Sequence, residues 1–180
     1  MDSFQPKMRY VWAQLFGCAL AVAFVVGALT LYHRSEQREC SFGPLPAHPA
    51  QLSRAEVEMA LRGDLKMVYR VEDVPESVRA DFRTLTGVPF AMVDPGRPYS
   101  SDLVQAGLPN KRLVFLAIDC ERAVLVYEQG GYKGSLEAMV VAHGEQAGGW
   151  GAELTGDQLT GPEDLARIVA AGRFKAWKMA

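Results

Sequence analysis

The chain has 180 residues, with 19 Lys+Arg against 21 Asp+Glu and a formal net charge of −2. A near-neutral balance excludes the basic face that nucleic acid requires, and it excludes strong electrostatic steering. Three histidines in all leave little for a His-rich zinc centre.

Residues 1–10 read as a short N-terminal head carrying Lys7 and Arg9. Val11 to Tyr32, VWAQLFGCALAVAFVVGALTLY, is uncharged and mostly apolar. A helix needs roughly 20 such residues to cross the hydrocarbon core of a bilayer. Tyr10 and Trp12 at one end and Tyr32 at the other suit the aromatic belts at the two interfaces. A cleaved signal peptide is the alternative, but its apolar region is shorter and ends in a small-x-small site. Here the run ends in Ala28-Leu29-Thr30-Leu31-Tyr32. Leu15-Phe16-Gly17-Cys18 has the outline of a lipobox, yet Phe16 is bulky for that motif and the apolar run continues past Cys18. The expectation is an uncleaved signal anchor in the plasma (inner) membrane. Lys7 and Arg9 before the span nearly balance Arg34 and Arg38 after it. The head is expected inside and the domain outside the cytoplasm. Ala19, Ala23 and Gly27 recur every four residues, a spacing that allows close helix–helix contact but also arises in any alanine-rich span.

Residues 33–52 read as a linker. Pro44, Pro46 and Pro49 deny it helix or central strand and give it polyproline character. His48 reads as filler. Cys40 in this stretch and Cys120 beyond it are the only cysteines outside the span. An oxidising compartment would allow them to form a disulfide; two separate thiols are the alternative, and geometry decides between them.

Residues 53–180 read as one globular domain, near neutral and long enough to bury a core. Ser53-Arg54-Ala55-Glu56 is a capping box opening a helix that Gly63 stops. Leu65 to Val71 alternates as a strand. Pro75 opens a second helix, with Val78, Phe82 and Leu85 on its buried face and Gly87 as its cap. Asp94-Pro95-Gly96 is a turn. Arg112 to Ile118 and Ala123 to Tyr127 are strong strands around a tight Asp119–Arg122 hairpin. Leu136 to His143 is a third strand. Gly144 to Gly151 reads as a reversal, and Trp150 to Leu154 as a fourth strand. Pro162 to Phe174 is a helix with Pro at its first position and acids in its first turn. Val114, Leu116, Leu125 and Val140 are expected on buried faces. Strands joined by hairpins imply an α+β domain: an antiparallel meander of three to four strands with about three helices on one face.

Each chemical constellation meets a plainer reading. Cys120 and His143 could act as nucleophile and base, but no hydrolase signature surrounds either. A structural thiol and a surface histidine are expected instead. His143, Glu145, Asp119 and Asp94 bring one histidine to any metal set. Gly130-Gly131-Tyr132-Lys133-Gly134-Ser135 lacks the spacing of a phosphate loop and leads into a strand. Gly148-Gly149-Trp150-Gly151 reads as a loop. Arg173, Phe174, Lys175, Trp177 and Lys178 form a basic-aromatic tail that either complements a helix dipole or touches anionic headgroups. No catalytic, cofactor or metal residue is assigned. The expected function is a membrane-anchored, non-enzymatic domain that binds another membrane or envelope protein, with the bilayer as partner of Val11 to Tyr32 and no nucleic acid. The alternatives are an accessory structural subunit joined through the span, or a tethered enzyme using Cys120 or a carboxylate.

Overall fold

Four long strands follow one another through hairpins: β3 (Lys111–Ile118), β4 (Arg122–Gln129), β5 (Ser135–Ala142) and β6 (Gly148–Leu154). The computed structural model describes residues 43, 45–101, 107–144, 147–155 and 159–177. They belong to one unit, Cys40–Ala180. The head, Val11 to Tyr32, Cys18, Ala19, Ala23, Gly27 and Cys40 lie outside the described residues. Among the described residues no helix is long and apolar enough to cross a membrane.

The expected meander is thus the centre of a larger, mixed sheet of seven strands. β2 (Lys66–Val68) pairs antiparallel with the end of β3. Its neighbour Val71–Asp73 is a turn of 3₁₀ helix, so the strand is shorter than Leu65–Val71. The outer edge of β6 carries two short strands end to end. β1 (Ala50–Gln51) runs parallel to Gly148–Gly149, and β7 (Phe174–Ala176) runs antiparallel to Ala152–Leu154. Short edge strands of this kind blunt a sheet against further pairing.

Three helices complete the domain: α1 (Arg54–Ala60), α2 (Glu76–Thr86) and α3 (Pro162–Ala170). The Ser53 capping box is present, with Glu56 Oε2 accepting from the Ser53 N–H at 2.7 Å. Gly87 closes α2 in the left-handed conformation. α3 has Pro162 at its start but ends at Ala170, and Phe174, expected within it, belongs to β7.

The helices do not share one face. α1 and α3 bury Val57, Ala60, Leu165, Ile168 and Val169 against Phe115, Val124, Val126, Val140 and Trp150. α2 buries Val78 and Phe82 on the other face, against Leu113, Leu116, Leu125, Met139 and Val141. A sheet covered on both sides needs apolar residues at consecutive positions, and β4 is buried from Ala123 through Tyr127. Leu116, Leu125 and Val140 are fully buried as expected, the first two on the α2 face and Val140 on the other. Val114 is only partly buried, because the register shifts between Leu113 and Phe115 and leaves it at a bulge.

The linker expected over residues 33–52 overlaps the domain. Leu45 and Leu52 are core residues, Ala50–Gln51 is β1, and the Leu52 N–H donates to the Gly149 carbonyl at 3.0 Å. The stretch expected as a glycine-rich reversal is a strand from Gly148 onward. Its glycines admit neighbours: a Cβ on Gly151 would stand 1.8 Å from the Trp177 ring, and one on Gly149 would stand 2.5 Å from Leu85.

Leu116→Ala is expected to lower stability by about 2–5 kcal/mol, the usual cost of emptying a fully buried leucine site. Thermal melting of the full chain in detergent measures it, and an unshifted melt would contradict burial on the α2 face.

Candidate functional site

Two places in the domain hold polar groups in unusual settings. The first is where the incoming chain meets α2. Asp81 follows the spacing of Val78, Phe82 and Leu85, so the helix turns its carboxylate inward, and it is fully buried. Its Oδ1 accepts the Leu45 N–H at 2.9 Å. Its Oδ2 stands 3.2 Å from Nε2 of His143, just past the end of β5, close enough for an ion pair when the imidazole is protonated but not aligned as a hydrogen bond. The His143 side chain is only 7% exposed, so it is not the surface histidine expected.

The β3–β4 hairpin lies at the same end of the sheet. Asp119 Oδ1 accepts the N–H groups of Glu121 and Arg122, and Oδ2 pairs with the Arg122 guanidinium. Burial pushes the Asp119 carboxyl up, but the Arg122 and backbone hydrogen bonds outweigh it and leave its pKa below the usual value. The Arg122 Nη1 donates to the Arg62 carbonyl at 2.7 Å and reaches those of Met59 and Ala60, capping the end of α1. The His143 N–H donates to the Glu121 carbonyl at 2.8 Å. Cys120, between these residues, is disulfide-bonded. That bond sets the His143 backbone beside the hairpin that holds Cys120, yet the two residues form no nucleophile–base pair: the sulfur is bonded and the imidazole faces Asp81.

The second place is a groove of about 910 Å³ at the opposite end of the strands. Its floor crosses the sheet face that α1 and α3 cover elsewhere, at Arg112, Glu128 and Leu136 in one cross-strand row. Pro95 and Tyr99 form one side, Leu159 and Thr160 the other. The Asp94-Pro95-Gly96 turn sets the first side, with the Arg97 N–H bonded to the Asp94 carbonyl at 3.1 Å. Asp164 in the first turn of α3 sets the second, accepting the Thr160 N–H at 2.8 Å and its hydroxyl at 2.6 Å. Those bonds, with Arg167 beside it, bring the Asp164 pKa down to about 2. Arg112 donates Nε to Glu128 Oε2 at 2.6 Å, and its Nη2 lies 2.5 Å from the same oxygen. The guanidinium lies over the Tyr99 ring, 4.4 Å from the centroid. The Glu128 hydrogen bond holds its pKa above the usual value.

The other candidates are dispersed. Asp94 caps Val71, Asp119 holds the hairpin and His143 faces Asp81; Glu145 lies outside the described residues. Among the described residues no three His, Cys, Asp or Glu side chains could hold a metal ion. Gly130–Gly134 is the β4–β5 turn and Ser135 opens β5; the Gly130 N–H donates to the Asn110 carbonyl at 2.7 Å. The basic-aromatic tail turns its rings inward: Phe174 meets Trp150 edge to face at 5.3 Å, and Trp177 Nε1 donates to Glu137 at 2.8 Å. Sequence reasoning missed Asp81, Arg112 and Glu128. Asp81 carried a signal, an acid on the apolar face of a helix; the pairing of Arg112 with Glu128 depends on strand register.

No protein-family model, curated protein or solved structure matches the chain.

Asp81→Ala is expected to leave the Leu45 N–H buried and unbonded, at about 1–3 kcal/mol. Asp81→Asn, which keeps an acceptor oxygen, is expected to cost less. Hydrogen exchange at the Leu45 amide checks the cause: it should quicken in the alanine variant and stay protected in the asparagine variant.

Proposed function

We propose that this chain is a single-pass protein anchored in the plasma (inner) membrane by Val11 to Tyr32, and that its α+β domain lies outside the cytoplasm and binds another membrane or envelope protein. The disulfide at Cys120 carries this reading. Structural disulfides persist in oxidising compartments and are rare in the cytosol. In this proposal Cys40 is the partner, which fastens the chain to the hairpin shortly before Leu45 docks on Asp81.

The same observation weighs against the enzyme reading built on Cys120, since a bonded sulfur is no thiolate nucleophile. A carboxylate mechanism has less support as well. Hydrolysis by paired acids needs two carboxyl groups facing one bond. Among the described residues lining the groove, Glu128 is the only acid, and it is paired with Arg112. The lining of the groove is mixed, apolar and polar in similar measure.

Fusion of alkaline phosphatase, active only outside the cytoplasm, to the C-terminus is expected to give activity, while a cytoplasm-dependent fluorescent fusion stays dark. The reverse pattern would overturn the proposed topology and the disulfide together.

A further inference from the structure

We infer that the Asp81–His143 contact is a pH-sensitive latch: the incoming chain, residues 45–52, stays docked on α2 and β6 while the two side chains hold one proton between them, and it comes loose when rising pH removes that proton. The inference goes beyond the binding reading and depends neither on it nor on the groove.

The buried pair is the first ground. Asp81 is fully buried, and its Oδ2 stands 3.2 Å from Nε2 of His143 without an aligned hydrogen bond. A proton on either atom makes the contact tolerable. On Oδ2 it leaves a neutral acid; on Nε2 it sets an imidazolium against a carboxylate, an attraction that depends on distance more than on angle. Such a pair titrates as a unit, so the sign does not depend on which atom carries the proton. Without the proton, a buried carboxylate faces a neutral ring. The Leu45 N–H on Oδ1 is one bond, and one bond does not replace the water an exposed carboxylate holds. Undocking lets water in, so the docked state is favoured while the proton is bound and loses ground as pH rises.

The groups around the pair leave it this role. One turn away on α2 stand Ser77, Val78, Thr84 and Leu85, none of them ionisable. On the covered sheet face, Leu116, Leu125, Met139 and Val141 are apolar, and burial pushes the Tyr127 phenol pKa up, away from neutrality. In the hairpin, Asp119 is bonded to Arg122, and Glu121 meets His143 through its backbone carbonyl. His48 on the incoming chain is exposed, and Glu145 lies outside the described residues.

The unequal fastening of the three segments is the second ground. β5 is laddered to β4 and β6 along its length, and Arg79 ties α2 to the Val71 and Val74 carbonyls. The incoming chain is held by the Leu45 N–H, the two-residue β1 and the Leu52 N–H on the Gly149 carbonyl. Segments with few bonds open first, and this one is bonded to the carboxyl group whose proton is lost.

Hydrogen exchange of the full chain in lipid nanodiscs tests the latch between pH 5.5 and 8.5, with each rate corrected for the intrinsic effect of pH. Protection of the Leu45 and Leu52 amides is expected to fall about tenfold over this range, the weight of one unit of linked titration, while amides of β4 keep theirs. Asp81→Asn has no carboxyl proton to lose, and His143→Gln offers an amide that does not titrate; in either variant the fall should disappear. Melting checks that both are folded, and the wild-type series stands by itself if one is not. Protection that is level with pH in the wild type would overturn the inference. So would a fall of equal size in Asp81→Asn, or one shared by the β4 amides, which would make it general loosening of the domain.

Discussion

A fully buried carboxylate decides where this domain begins. Burying a carboxyl group costs free energy unless hydrogen bonds replace its water. The Leu45 N–H donates to one Asp81 oxygen, and the His143 ring lies 3.2 Å from the other without a hydrogen bond between them. Leu45 comes from the incoming chain, Asp81 from α2, and His143 from the end of β5. Three segments far apart in sequence thus meet at one buried carboxyl group. Remove the incoming chain, and α2 keeps a carboxylate that has lost its hydrogen bond. For that reason residues 45–52 belong to the folded unit, although their prolines resemble those of a spacer.

The two ends of the central strands then serve different purposes. At the Ile118 end, the hairpin concentrates constraints: Asp119 shapes the turn, Arg122 caps α1, Cys120 is disulfide-bonded, and His143 reaches Asp81. At the Lys111 end a groove crosses the sheet face between the Pro95–Tyr99 segment and the start of α3.

Much of this was legible in the sequence, for physical reasons. The capping box at Ser53, the Gly87 cap, Pro162 at the start of α3 and the Asp94–Gly96 turn are local rules read from neighbouring residues, and all are present. The four meander strands are strongly apolar and were found with small shifts at their ends. What failed was non-local. Continuous runs such as RLVFLAI and AVLVY signal burial on both faces, whereas hairpin connectivity alone is equally consistent with one covered face. β1 and β7 are too short to carry a period, and their pairing with β6 depends on Gly148 and Gly151 making room for Ala50, Leu52 and Trp177. The basic-aromatic tail could not be told from a membrane contact without knowing where those rings pack. The Arg112–Glu128 pair spans a hairpin whose register is fixed by a bulge, and no spacing rule places a bulge at Val114.

The central claim is that the chain is fastened to the hairpin end of the sheet in an oxidising compartment. Its most direct test is disulfide mapping of the full-length protein. Free thiols are alkylated in intact membranes, and the chain is then digested without reductant and its peptides weighed. The account predicts one cross-linked species joining the peptides of Cys40 and Cys120. Recovery of both cysteines alkylated on separate peptides would contradict it.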